Sequence, residues 1–225
     1  MTADSCSLEV SSELKEEFPG LTAQLIPISR VIVKRRDRDL EEFKIQVYHR
    51  IRERWTLDSL KDRPMFRAYR DFFWALEVDP TKTRPASEAL IRRVLHERDI
   101  PTINSVVDAY NLASMETGIP LAAFDKNQLE DRLQMRKAKS GETFRGIGMK
   151  QPLTLEGGEV VVEDSGSLVA IYPYRDAEHS KITLSTTDVL LMICGAPGIS
   201  QKQLTQAREV AIEYITKFCN GRPSP

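Results

Sequence analysis

Residues 175–180, RDAEHS, pack a base, two acids, an imidazole and a hydroxyl into six positions: Arg175, Asp176, Glu178, His179 and Ser180. A serine, a histidine and an acid make a hydrolytic triad when the imidazole can reach the hydroxyl. His179 and Ser180 are neighbours, and neighbours on a strand point to opposite faces, which argues against a triad. Two readings stand on these residues alone: a polar loop closed by an Arg175–Asp176 ion pair, or a ligand site.

A second stretch, NSVVDAYNLASMETGIPLAAFD at 104–125, sets Asp108, Asn111 and Asp125 among small and apolar neighbours and contains no His, Cys or Lys. It reads as a helix capped by Asn104 and ended by Gly118-Ile119-Pro120. Tyr110, Tyr172 and Tyr174 are of a type that stacks on bases or fills a ligand pocket, although core packing is the commoner use. His49 and His96 fall within predicted helices beside arginines and suit solvated faces.

Residues 30–70 hold thirteen Lys or Arg against seven acids, while the whole chain carries a net charge of −1. A local basic patch of this kind can meet phosphate, with Arg35, Arg36, Arg50 and Arg54 the candidate contacts. The interspersed acids equally suit a solvated helix surface with ion pairs such as Arg50–Glu53 and Asp58–Lys61.

The chemistry excluded is broad. There is no Walker loop, dinucleotide fingerprint, HExxH, GxSxG or EF-hand pattern, so no cofactor and no metal are expected. Cys6, Cys194 and Cys219 are widely spaced and form neither a zinc pattern nor a disulfide framework. The N-terminus lacks a signal-peptide pattern, and the longest apolar run, VLLMIC at 189–194, is too short for a bilayer. A reducing, cytoplasmic location without membrane contact follows as the expectation.

The elements that must position these groups change character along the chain. LTAQLIPISRVIV (21–33) suits a buried strand. Leu40, Phe43, Val47, Ile51 and Trp55 recur at helical spacing, and shorter helices are predicted over 65–76 and after Pro85. After about residue 133 short β-prone runs alternate with Gly pairs and Asp-Ser-Gly turns. A last helix starts at a Ser200–Gln203 capping box. Strand, helices, strands and a closing helix make an α+β order rather than βαβ.

At INSVVDAYNLASMETGIPLAAFD the chain resembles the B3/B4 editing domain of the bacterial phenylalanyl-tRNA synthetase β chain, with its run I-N-N-V-V-D-V-T-N-Y-V-x-x-E-L-G-Q-P-M-H-A-F-D. Ile103, Asn104, Val106, Val107, Asp108, Asn111, Glu116, Gly118, Pro120, Ala123, Phe124 and Asp125 match in register. RKAKSGETF (136–144) is similar to R-M-A-K-x-G-E-T-L, and AEHSKITLSTTDVLL (177–191) to G-E-H-S-x-V-x-x-x-T-x-x-V-L-L. The resemblance spans roughly 85–195. It implies one domain over 1–225, with a helix-rich half to about 133 interleaved with a strand-rich half from about 134. A mixed, barrel-like β core flanked by helices is the implied fold.

The resemblance further implies an editing-type domain standing alone, not a ligase. Its partner would be tRNA or aminoacyl-tRNA, with the amino acid in a pocket and the ester of a mischarged tRNA hydrolysed in trans. Glu178 would read a polar group or orient water, as the candidate catalytic residue, and Asn111 would anchor the ligand. Tyr110 would shape the floor, and Arg175 would meet an acid or a phosphate. Three departures bear on the pocket: the family's His is Ala122, the Thr before its Asn is Tyr110, and its glycine-rich loop is YPYRDA (172–177). Tyr172 and Tyr174 would thus reshape space that glycines leave open. A non-catalytic amino-acid sensor and a general RNA-binding module are the alternatives. The oligomeric state stays open.

Overall fold

The computed structural model describes residues 8–130 and 132–223. Cys6 lies outside the described residues. Strand β1 (Glu9–Val10) and helix α1 (Ser12–Glu17) precede β2 (Ala23–Ser29). Five helices follow: α2 (Arg38–Arg54), α3 (Leu57–Leu60), α4 (Pro64–Ala75), α5 (Ala86–Leu95) and α6 (Ser105–Thr117). Then come β3 (Leu121–Asp125), β4 (Gln134–Lys137), β5 (Thr143–Phe144), β6 (Leu153–Thr154), β7 (Val160–Asp164), β8 (Ser167–Ile171), β9 (Arg175–Asp176) and β10 (Val189–Cys194). Helix α7 (Gln201–Cys219) and β11 (Arg222–Pro223) end the described chain.

The strands form separate sheets, not a barrel. One sheet has the order β11-β2-β10-β3, the second β1-β4-β7-β8-β9, and β5 with β6 makes a small third. The α+β class holds, and the barrel-like core expected from the resemblance is replaced by open sheets, because β3 and β11 end one sheet and β1 and β9 the other. All strand pairs are antiparallel except β1 with β4.

Strand β10 is central to its sheet and buried along its whole length. That explains its unbroken apolar run: a strand covered on both faces needs no alternation. Met192 stands opposite Leu25 of β2 and Ala122 of β3, so these three side chains share one face. One hydrophobic cluster joins the helices to both larger sheets, from Leu40 and Phe66 through Val106 to Val169 and Ile215.

Local chemistry sets the helix ends. Asn104 accepts from the Val107 amide at 3.0 Å, capping α6. Gly118 ends α6 with φ +74°, in the left-handed region where a side chain costs energy. Ser87 Oγ donates to the Gly118 carbonyl at 2.8 Å, and Ser114 Oγ to that of Ile119 at 2.7 Å. A Cβ on Gly118 would also come within 2.1 Å of Met65 Cε and 3.3 Å of the Phe66 ring. Gly118→Ala is therefore expected to destabilise the fold by about 1–2 kcal/mol, from the left-handed backbone alone. Chemical denaturation with an unchanged m-value would confirm it. The predicted Ser200–Gln203 capping box is present, with Ser200 N–H donating to Gln203 Oε1 at 2.9 Å.

The charged residues of the long α6 motif are structural. Asp108 is buried, accepts from the Ile103 amide at 3.1 Å and pairs with the buried Lys44 at 3.3 Å. Asp125 accepts from Thr186 Oγ1 at 2.6 Å and from the Asn127 amide at 3.1 Å. In RKAKSGETF, Arg136 holds Glu142 through two bonds of 2.7 and 2.9 Å. The hydrogen bonds from Arg136 bring the Glu142 carboxyl down to about 2.

Candidate functional site

Two cavities separate the residues singled out by sequence. The first has a volume of about 140 Å³ and lies where α6 and strands β3 and β10 meet β8, β9 and the turn between them. Tyr110, Asn111, Ala122, Tyr172, Pro173, Tyr174, Asp176, Met192 and Cys194 are among its lining residues. Five predicted ligand contacts, Tyr110, Asn111, Ala122, Tyr172 and Tyr174, are thus brought together.

Glu178 is not with them. It lines a second, more polar groove of about 470 Å³, together with Glu142, Arg145, Ser167 and His179, that shares no lining residue with the first. Its carboxylate forms an ion pair with Lys181 and accepts from the Gly148 amide at 3.1 Å. The Lys181 bond first, then the Gly148 amide, hold it below the usual carboxylate range. Its carboxylate is thus engaged at the second groove, by Lys181 and the Gly148 amide. Arg175 is exposed and lies over Gly146, where an added Cβ would come within 2.6 Å of its Cδ.

Asp176 is the acid that enters the cavity. Residues opposite each other across a ladder share a face. Asp176 stands opposite Ala170 and Arg175 opposite Ile171; both partners line the cavity, but of the two β9 residues only Asp176 does, and Arg175 is exposed. The predicted Arg175–Asp176 ion pair is absent for this reason: adjacent strand residues point apart. Among the described residues the Asp176 carboxyl has no hydrogen-bond or ion-pair partner. Burial pushes it up to about 7.

Its surroundings are also unspent. Asn111 is partly buried, and its side-chain amide makes no hydrogen bond among the described residues. The Tyr110 hydroxyl is likewise unpartnered among them. Burial first, then the nearby Asp176 charge, push that phenol up, so it stays a donor. Tyr172 differs, because its hydroxyl donates to the Gly195 carbonyl at 2.5 Å and to that of Thr22 at 3.3 Å. Tyr69 donates to the Cys194 carbonyl at 2.5 Å, so two tyrosines hold the chain as it leaves β10. Cys194 lines the cavity, but burial raises its thiol far above the usual value and leaves it un-ionised. Among the described residues no group of three His, Cys, Asp or Glu is placed to hold a metal ion, and no helix is long and apolar enough to cross a membrane.

The basic candidates serve largely as clips. Arg50 Nε meets Glu116 at 2.5 Å, and Arg54 Nη1 donates to the Glu116 carbonyl at 2.8 Å, tying α2 to the end of α6. Arg54 also lies 4.6 Å from the Trp55 ring centre. Arg36 pairs with Glu41 at 3.2 Å, and Arg35 is exposed.

With this geometry the comparisons with known proteins can be placed. The model of the B3/4 domain matches residues 68–220. The chain belongs to the B3/4 domain family. It is similar to the β subunit of phenylalanine–tRNA ligase of Wolbachia sp. subsp. Brugia malayi, 38% identical over 120 residues, covering 53% of this chain and 15% of that protein. The corresponding subunit of Thermotoga maritima is 25% identical over 186 residues, covering 73% of this chain and 24% of its own length. That of Geobacter sulfurreducens is 37% identical over 108 residues, covering 48% and 13%. The chain therefore spans a quarter or less of these relatives. An N-terminal fragment of the phenylalanyl-tRNA synthetase β subunit from Pyrococcus horikoshii superposes with a TM-score of 0.52 at 13% identity, covering 96% of this chain and 50% of that one. At that identity the likeness is one of fold. The family match includes both the α6 motif and the cavity wall from β8 to β10.

Proposed function

We propose that this B3/4 domain receives the aminoacyl end of a charged tRNA in the cavity between its two larger sheets and hydrolyses the ester there. The observation that carries the reading is the unpartnered Asp176 carboxyl, set beside the unpartnered Asn111 amide and Tyr110 hydroxyl in one small cavity. None of the three is spent on another side chain or on the backbone among the described residues, so all three are free to bond a polar ligand in the cavity they line. The relatives' membership of a tRNA ligase supports an aminoacyl group as that ligand.

The chemistry follows from the groups present. Asp176 as carboxylate accepts a proton from a water molecule as its oxygen attacks the ester carbonyl carbon. The Asn111 amide and the Tyr110 hydroxyl donate toward the developing oxyanion. The carbon–oxygen bond to the ribose breaks, and the leaving oxygen takes the proton back from Asp176. The products are the free amino acid and the tRNA with its terminal hydroxyl restored. A base that titrates near the working pH suits this double role. No protein nucleophile is needed, since Cys194 is un-ionised and no serine lines the cavity.

A panel of correctly and wrongly charged tRNAs, followed for release of the amino acid under single turnover, tests the reading. At least one substrate is expected to deacylate ten-fold or more above the uncatalysed rate. Failure to accelerate any of them would reject hydrolysis. Ala122, where an imidazole is expected from the family pattern, favours a second reading: the cavity binds the same aminoacyl group without cleaving it. Binding without acceleration would select that reading.

A further inference from the structure

The shape of the cavity says which amino acids it takes. Its volume is about 140 Å³, and a cavity of about 150 Å³ is filled by one benzene molecule. A phenylalanyl or tyrosyl group has about twice the heavy atoms of benzene. The ring alone would fill the space and leave the α-carbon and carbonyl at the mouth, away from Asp176 and Asn111. An alanyl or seryl group is about the size of benzene as a whole.

The walls that set this limit are braced. Tyr172 is fully buried, its hydroxyl is spent on the Gly195 and Thr22 carbonyls, and its ring lies 6.4 Å from that of Phe72. Swinging it out would leave buried polar groups unmade as well as a void. Tyr174 packs at 5.8 Å against Phe73. Met192 and Ala122 are fixed side by side by the β10–β3 ladder. Tyr110 projects from α6, whose cap and C-terminal turn are both locked.

We infer that the cavity selects a small α-amino acid, such as an alanyl or seryl group, and rejects aromatic ones, Tyr110 and the Tyr172–Tyr174 turn being the residues that set the limit. The inference rests on the proposed aminoacyl site but not on hydrolysis.

Calorimetric binding of non-hydrolysable, amide-linked aminoacyl-adenosine analogues tests it. Alanyl and seryl analogues are expected to bind at least ten-fold tighter than phenylalanyl and tyrosyl ones. Equal or tighter binding of the aromatic analogues, or no binding of either class, would overturn the inference. The deacylation panel reads hydrolysis separately, so the two failures are distinguishable. Free alanine and serine form a second arm. Binding as tight as that of the analogues would identify the free amino acid as the source, and weaker binding the esterified one, with small-residue selectivity required in both. The variant Tyr110→Thr should gain at least ten-fold in affinity for the phenylalanyl analogue, a gain that a misfolded protein would not give. If it binds alanyl analogues normally and still excludes the phenylalanyl one, Tyr110 is not a gate.

Discussion

Asp176→Asn is expected to lower the single-turnover deacylation rate by about 10²–10⁴-fold, the usual contribution of a positioned general base. The substitution keeps size and removes the proton acceptor. Glu178→Gln is expected to stay within about two-fold of the wild-type rate on the same scale, because its carboxylate is committed to Lys181 and Gly148 in the other groove. The pH dependence adds a second signature. With Asp176 raised to about 7 by burial, the active carboxylate grows in as pH rises, so the wild-type rate should climb through that value and level above it. Stability should move the opposite way. The folded pKa lies above the ordinary aspartate value of about 3.9, so ionisation costs folding stability progressively as pH rises between those limits. Asp176→Asn removes that penalty and should melt above wild type at pH 8. An inactive variant that is more stable points to a functional group held against stability; an inactive variant that melts lower would point to a structural role.

Glu88 carries the second large effect. Its side chain is completely buried, with Arg70 donating to it at 2.8 and 2.9 Å and Arg92 at 2.8 Å. The cluster joins α4 to α5. Glu88→Ala leaves two largely covered guanidiniums without their anion, a change expected to cost about 3–5 kcal/mol in a denaturant titration. Glu88→Gln keeps acceptor capacity and should cost less. Burial alone would raise the Glu88 carboxyl, but the hydrogen bonds from Arg70 and Arg92 outweigh it and hold it below the ordinary value. Its contribution is therefore complete above the unfolded glutamate range near about 4.3 and lost as pH falls through the lower folded value. The wild-type protein should lose its advantage over Glu88→Gln in that acidic window. An equal difference at pH 7 and pH 2 would refute the charge-based explanation.

Much of the framework could be read from local sequence because local chemistry makes it. The Asn104 cap, the left-handed Gly118, the Ser200–Gln203 box and the apolar run of β10 each depend on a few adjacent residues. The helix predicted over 65–76 is α4, at Pro64–Ala75. The cavity was legible as far as Tyr110, Asn111 and Ala122, on the motif that the family resemblance aligns, and Tyr172 and Tyr174, in the stretch that departs from it. Asp176 was missed because it was paired on paper with Arg175. The signal that could have found it is alternation: in a strand Arg175 and Asp176 must face opposite ways, and the basic side chain suits solvent. That Glu178 lines the second groove and not the cavity depends on where the chain leaves β9 after two residues, which no spacing reveals. In the basic span, where phosphate contact and helix-surface ion pairs were both open, the partners found are non-local. Arg50 and Arg54 find their acceptors on Glu116, more than sixty positions away in the chain. Lys44 is buried against Asp108 in the same way.

The central claim is that the aminoacyl group sits between the sheets, against Asp176. A crystal structure of the protein with an amide-linked alanyl-adenosine analogue tests it most directly. The alanyl group is expected inside the cavity lined by Tyr110, Asn111 and Met192, with its carbonyl carbon within one water molecule of the Asp176 carboxyl. An analogue seated instead in the groove of Glu178, Arg145 and His179, with the inter-sheet cavity unchanged, would contradict it.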